Sequence, residues 1–485
     1  MKSLQGIYTL LFGVAVLLFF GLVYPHHLHY QEQYQLFLFD WDYVWDIVRL
    51  PGGVADLLGR FCTQFFLFAW MGALIIAVLL SLVQLLTLHM VQCTMHHVQS
   101  DGREQINHFS LFIFTFIPSF LLWLFLLDEN ALLGSVWAVL LTQLAFCGLL
   151  RLPDGWLRRI LIFVAFFILY WIAFGGSHYY RIPNTFPTLF YAAWFSAMII
   201  PLLIYIFKVQ GSLFESVALR KWFKIQGLSG RRQQIIHFSL FTITFIVMGT
   251  FVWKNANFKA EKVMQYDFMA CHQQWNRILA TATAEKPNNQ IGVTVQNLAL
   301  AMHGMLADHL FDYNQNGLAG LLPDVQSDAT SPIPTAEAFY QLGMINVAQR
   351  TVFEAQEAIL DFQKSARCYK RLAQTNLING SYEVARKYLM ALQKTLFYRD
   401  WANETLSLLG NEEAIAKHPE YGRLRQYAYD KDYYFSDHVT PEMLESLYFR
   451  NTDNRVAFEY LKAYYILTND REAYAKLLLQ TSAKQ

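Results

Sequence analysis

The sequence predicts an all-α protein in two parts: a transmembrane domain of seven helices over residues 1–254, and an extracytoplasmic helical-repeat domain over residues 255–485. Three observations carry this. The 485 residues are 55% hydrophobic and only 15% charged, and the apolar residues concentrate in the first half. Apolar runs recur there, with basic residues gathered on one side of them. The second half alternates helix-like segments with short polar turns.

A hydrocarbon core of about 30 Å takes roughly 20 apolar residues per helix. Residues 5–24, 66–88, 109–127, 131–150, 160–174, 187–207 and 235–253 qualify or nearly do. The fifth run is short and extends at most into Gly175 and Gly176. The first reads as an uncleaved span, because it is longer than a signal-peptide core and no small-residue cleavage site follows. With the N-terminus inside, the inner loops hold Lys2, Arg103, Arg151, Arg158, Arg159, Lys208, Arg220, Lys221, Lys224, Arg231 and Arg232. The outer loops hold only Arg49, Arg60 and Arg181. This bias fits the positive-inside rule and places the second domain outside, in the periplasm of a bacterial inner membrane.

Two stretches of the membrane half match in register. Residues 103–117 align with 232–246, pairing His108 with His237, and Ala69-Trp70 with Ala73 aligns with Ala193-Trp194 and Ala197. Spans one to three therefore read as a parallel repeat of spans five to seven, with span four as linker. The two histidines sit where spans leave the cytoplasm, a place for packing or capping.

Net charge +1 shows no nucleic-acid footprint, so the bilayer is the first expected partner. The cysteines are Cys62, Cys93, Cys147, Cys271 and Cys368. No CxxC occurs, which excludes a zinc ribbon or a thioredoxin motif. Cys271 and Cys368 share the outer domain, and both pairing and two free thiols stay open. His89, Cys93, His96 and His97 share helical spacing after span two, as a surface or as ligands. No GxSxG, Walker A, HExxH or GxGxxG is present.

The first outer loop, residues 25–65, is the asymmetric part. It carries His26, His27, His29 and Glu32, then Asp40, Asp42 and Asp46. As a helix, residues 40–50 put Trp41, Val44, Trp45 and Val48 on one face and Asp42 and Asp46 on the other, with Arg49 following. Pro51-Gly52-Gly53 breaks it. A second amphipathic piece puts Val54, Leu57, Leu58, Phe61 and Phe65 inward, and Asp56 and Arg60 outward. Two helices lying on the outer membrane face result. Asp40, Asp42 and Asp46 are the candidate catalytic acids, and Glu32, Asp40 and His29 the candidate metal ligands, since carboxylates suit Mg²⁺ or Mn²⁺. A solvated polar face is the alternative.

In the second half, Tyr369, Leu372, Ala373, Asn376, Gly380, Tyr382, Ala385 and Leu389 resemble a tetratricopeptide repeat, in which small residues let paired helices approach. Weaker copies run through Leu342, Gly343, Ala355 and Phe362, and through residues 457–479. Residues 312–323, continued by 327–334, form a long loop of the kind that is often functional or mobile.

The stretch 297–323, with Asn297, His303, Asp308, His309, Asp312, Asn314, Asn316 and Gly317, is similar to a signature of an uncharacterised bacterial family. That family has a multi-span first half and a tetratricopeptide-like second half; the segment from Pro51-Gly52-Gly53 to Gln64 is similar too. A looser resemblance is to multi-span glycosyltransferases that use lipid-linked donors. It implies an acid of the first loop as base or cation ligand, a divalent cation, a polyprenyl-phosphate lipid, and Arg49, Arg60 or Arg181 against its phosphates. The Asp-Asp or Asp-Glu pair of that class is missing directly after span one. Two readings follow: a cell-envelope scaffold presenting its outer domain to a periplasmic protein, or a membrane glycosyltransferase. A transporter is disfavoured, because the spans hold almost no acids or lysines to mark a pathway.

Overall fold

The computed structural model describes residues 2–99, 112–152, 156–174, 187–210, 230–323, 332–359, 363–429 and 440–482. The described residues are helical with no strand; their one β contact is an isolated bridge between Asn316 and Leu318. The chain divides into two compact units. The first comprises Met1–Glu32 and Asp40–Phe258, and the second Gln33–Phe39 and Lys259–Gln485.

In the first unit, α1 (Lys2–Leu18) runs into a π-turn over Phe19–Val23, and short helices follow: α2 (Pro25–Glu32), α3 (Trp41–Val48) and α4 (Gly53–Thr63). Long apolar helices come next: α5 (Ala69–Gln99), α6 (Ile117–Phe125), α7 (Gly134–Leu150), α8 (Trp156–Phe174), α9 (Pro187–Gln210) and α10 (Gly230–Asn255). A helix thus lies at each of the apolar runs. Three of them are long and apolar enough to cross a membrane, Gln5–Val23, Ala69–Thr94 and Phe238–Asn255; Phe112–Phe125, Gly134–Leu150 and Thr188–Pro201 are shorter. Gly175, Gly176 and His108 lie outside the described residues, as does the side chain of His237.

Helix α5 is the hub and packs on α1, α6, α7 and α9. Aromatic rings join α1, α6 and α10: Tyr8 stacks on Phe241 at 3.8 Å, and Phe12 meets Trp123 edge-on at 5.8 Å. Polar side chains tie α5 to α1, to the turn before α6 and to α7. Gln84 accepts from Thr9 (2.8 Å) and donates to Thr115 (2.9 Å), and Gln143 donates to Thr87 (2.8 Å). Where apolar surface supplies no drive between helices, such hydrogen bonds and close packing hold them. Several of these helices also turn large apolar side chains outward, Leu10, Leu11, Val14 and Leu18 on α1 and Phe163, Phe167 and Ile168 on α8. The aligned tryptophans part company here: Trp194 is fully buried, whereas Trp70 is half exposed.

From Lys259 the second unit contains α11 (Phe258–Cys271), α12 (Trp275–Glu285), α13 (Gln290–Met302), α14 (Pro332–Leu342), α15 (Ile345–Ala358), α16 (Ala366–Ile378), α17 (Tyr382–Gln393), α18 (Arg399–Leu408), α19 (Glu412–Lys417), α20 (Tyr421–Tyr427), α21 (Thr440–Arg450), α22 (Arg455–Thr468) and α23 (Arg471–Ser482). Successive helices from α12 to α18 pack on one another, and α22 returns to pack on α13 and α14. Tight turns join α14 to α15, α16 to α17, α18 to α19 and α22 to α23. Each contains a residue at positive φ: Gly343 (90°), Gly380 (77°), Gly410 (82°) and Asn469 (57°). Glycine adopts that conformation without a Cβ penalty, which sets it at helix C-termini. Leu372, Ala373, Ala385 and Leu389 are buried between α16 and its neighbours, as are Leu342 and Ala355 around the preceding turn; Phe362 lies outside the described residues. All five cysteines are free, Cys271 and Cys368 included.

Candidate functional site

The first loop begins by capping a helix. The carbonyls that follow α6 have no partner within it. Side chains of the loop supply donors: Tyr24 Oη to Leu127 O (3.4 Å), His27 Nε2 to Leu126 O (3.0 Å), and Gln31 Nε2 to Ala131 O (3.0 Å). Tyr24 Oη in turn accepts from the backbone of Asn257 (3.1 Å). Burial drives the His27 pKa down to about 3, opposed by its bond to Leu126. The ring is therefore neutral and donates through Nε2.

A pH dependence follows. In the unfolded chain a histidine titrates near 6.5. Because its folded pKa is depressed, His27 contributes stability that is full above about pH 6.5 and is lost as pH falls toward about 3, at up to about 1.4 kcal/mol per pH unit. Moving from pH 7 to pH 5 is expected to cost about 2 kcal/mol through this group. His27→Gln, which still donates to Leu126, is expected to flatten the slope of unfolding midpoint against pH. An unchanged slope would assign the acid sensitivity elsewhere.

The three candidate acids do not converge. Asp40 is the N-cap of α3 and accepts from the Asp42 amide at 3.2 Å. Asp42 points to solvent, and Asp46 pairs with Arg49 at 2.9 Å with both side chains about 60% exposed. Glu32 and His29 lie on α2, and the seven residues between Glu32 and Asp40 belong to the second unit. Among the described residues no group of three or more His, Cys, Asp and Glu is placed to hold a metal ion, so the grouping of Glu32, His29 and Asp40 is not realised. Cys93 Sγ lies 3.4 Å from His89 Nε2 along one helix; the side chains of His96 and His97 are outside the described residues.

The two amphipathic pieces form helices α3 and α4, and the second buries a face the sequence reading did not expect. On α3 the buried residue is Ile47, while Trp41 (84% exposed) and Trp45 (67%) face outward. On α4 the small residues take the buried face, and Leu57, Leu58 and, just beyond the helix, Phe65 are half-buried. Val54 and Phe61 are exposed, and Ala55, Gly59 and Thr63 are buried against the start of α7. A Cβ on Gly59 would lie 2.3 Å from Gly134 N, so the two helices meet through backbone. Arg60 and Asp56 are largely shielded and pair at 2.8 Å. Arg60 also donates to Tyr43; burial acts against the Arg60 charge, but Asp56 and Tyr43 together outweigh it. Small residues at i, i+4 and i+8 permit a closer crossing than leucines do, and this close approach won over the larger apolar side chains.

The segment Gln33–Phe39, read from sequence only as loop, is the main feature missed. It lies across α16, α17 and α18. Leu36 N donates to Lys364 O and Phe39 N to Lys394 O, both at 2.8 Å. The Leu36 side chain fills a pocket of Ala366, Ala373, Leu389, Leu392 and Ala402. Gln33 Oε1 accepts from Arg367 at 3.2 Å. Its signal is faint: Leu36-Phe37-Leu38-Phe39 is an apolar run too short for a span and without helical period.

Behind Gln33 lies a buried ion-pair cluster, also unforeseen. Arg367 grips Asp267 with two bonds, of 2.5 and 2.8 Å, and both side chains are about nine-tenths buried. One turn on, Arg371 pairs with Glu337 at 2.6 Å and covers the Tyr340 ring at 3.6 Å. Tyr340 Oη donates to Glu420 at 2.8 Å. Burial opposes the Arg367 charge, but Asp267, with Cys271 and Glu337, overrides it, so its pKa is raised. Burial lifts the Cys368 thiol to about 11, which leaves it unreactive at neutral pH.

The loop after α13 is tied down, at least as far as Pro323. Asn297 Nδ2 donates to Gln315 Oε1 and Gly320 O (both 2.9 Å), and Asn314 Nδ2 to Lys286 O (2.9 Å). His309 Nδ1 meets Asp312 at 2.7 Å. The amides that make this stretch distinctive hold a compact loop shape; residues 324–331 lie outside the described ones.

Together these features define an all-helical protein that carries long apolar helices, three of them long enough to cross a bilayer, and a second helical unit. A family model described as "Family of unknown function (DUF6057)" matches residues 1–178 and 172–485, and the chain belongs to that family. No curated protein and no solved structure matches it.

Proposed function

We propose that the chain is a membrane-anchored scaffold of the bacterial cell envelope. Its apolar helices are the anchor, crossing the inner membrane seven times from a cytoplasmic N-terminus. The second unit is a tetratricopeptide-like domain offered to a protein partner in the periplasm. The observation that carries this is the succession of helix pairs closed by left-handed turns at Gly343, Gly380, Gly410 and Asn469. Stacked pairs of this kind build extended binding surfaces. The outward apolar stripes of α1, α5, α8 and α10 support the anchor, because exposed apolar surface on this scale marks contact with lipid or protein.

The acids of the first loop favour a scaffold over transfer of a sugar from a polyprenyl-phosphate donor. Asp40 caps a helix and Asp46 sits in an exposed ion pair, roles that need no substrate. Asparagine caps about as well as aspartate. The Asp40→Asn, Asp42→Asn, Asp46→Asn triple variant is therefore expected to complement a deletion strain fully, with unchanged envelope glycans at normal protein abundance. Loss of a glycan in that strain would replace the scaffold with the glycosyltransferase. Photo-crosslinkers on exposed positions of α15 and α17 are expected to capture a periplasmic protein in cells.

A further inference from the structure

We propose that the pocket formed by α16, α17 and α18 is a peptide-binding site, that Gln33–Phe39 is its resident ligand, and that a partner's non-helical segment with a leucine anchor takes its place. The proposal rests on the scaffold reading and names the chemistry of the partner.

The seated segment shows what the site recognises. Two backbone N–H groups, three residues apart, donate to Lys364 O and Lys394 O, the carbonyls just before α16 and just after α17. These bonds are indifferent to side-chain identity, so any segment of the same shape satisfies them. Specificity comes from two places. The pocket of Ala366, Ala373, Leu389, Leu392 and Ala402 accepts a branched apolar side chain, here Leu36, with Leu38 packed beside it. Arg367, already neutralised by Asp267, offers Nη1 to a neutral acceptor three residues earlier, here Gln33 Oε1. A carboxylate there would compete with Asp267, whereas an amide oxygen does not. The site therefore suits a segment with glutamine three residues before leucine.

The attachment is local. Both ends of the segment return to the other unit, at Glu32 and at Asp40, and Phe39 is about half exposed. Release opens two backbone bonds, the Gln33–Arg367 bond and the packing of Leu36, Phe37 and Leu38, but unfolds no helix.

The experiment uses the full chain in lipid nanodiscs and a fluorescent peptide of residues 33–39 with solubilising lysines at each end. Leu36→Asp ejects the resident segment. If that segment holds the site closed at least about 90% of the time, ejection is expected to tighten peptide binding at least about tenfold over the unsubstituted protein. A peptide with aspartate at the leucine position is expected to bind neither protein. Gln33→Ala combined with Leu36→Ala serves as a milder variant should Leu36→Asp unfold the domain, which circular dichroism reports. Equal peptide affinity for the unsubstituted protein and for a folded ejection variant overturns the proposal. Retained crosslinking to a periplasmic protein in that case would leave the scaffold intact and remove only the peptide site.

Discussion

Arg367→Met is expected to lower the stability of the second unit by about 3–5 kcal/mol, because it leaves the Asp267 carboxylate buried without its counter-ion. For a domain of this size each kcal/mol is worth about 2–4 °C, so the melting transition of that unit is expected to fall by about 6–20 °C. The geometry sets the sign. Both side chains are about nine-tenths buried, and two parallel bonds of 2.5 and 2.8 Å replace the water each charge has given up. Combining Arg367→Met with Asp267→Asn removes both charges and is expected to recover much of the loss, since apolar replacement of a whole buried pair is often near neutral. Differential scanning calorimetry of the full chain, single against double variant, reads this directly. Equal losses would mean that packing, not charge, holds α11 to α16.

The second large effect is expected at Gly59. A Cβ there would meet Gly134 N at 2.3 Å and Gly134 Cα at 2.6 Å, backbone atoms that cannot swing aside. Gly59→Leu must therefore part α4 from α7 and uncover Ala55 and Thr63. Overpacking of this kind costs about 1–3 kcal/mol, and more where backbone must move. Phe61→Ala, two residues on but exposed, is the control and is expected to change the unfolding midpoint little. The reverse ranking, with Phe61 costly and Gly59 tolerant, would restore the face that the sequence pattern alone suggests.

That contrast shows where sequence reading stops. Helices were legible at every apolar run, since length and hydropathy depend on lipid-like burial alone. The turn at Gly380 was legible too, because glycine after a helix carries a backbone reason. The orientation of α4 was not. An apolar-moment argument sends Phe61 inward, but a chain read as facing lipid also buries its small residues and turns its large ones out. Arg60 and Asp56 look like a solvated pair by type, yet tertiary packing, with Tyr43 beside Arg60, shields them. The Arg367–Asp267 pair joins residues 100 apart in sequence, and nothing local announces it. The separate places of the first-loop acids were not legible for a related reason: Asp40, Asp42 and Asp46 are close in sequence, yet one caps a helix, one faces water and one pairs with Arg49. Gln33–Phe39 is the sharpest case, a stretch without helical period whose partners lie more than 300 residues away.

The central claim is that apolar helices anchor a helical domain held outside the cytoplasm. The most direct measurement is cysteine accessibility in living cells. In a chain whose five native cysteines are replaced, Glu383→Cys places a thiol on the exposed face of α17, and Arg151→Cys places one after α7. A maleimide that cannot cross the inner membrane is expected to label Glu383→Cys in intact cells and Arg151→Cys only after lysis. Labelling of Arg151→Cys in intact cells, with Glu383→Cys protected until lysis, would contradict the orientation and with it the proposed scaffold.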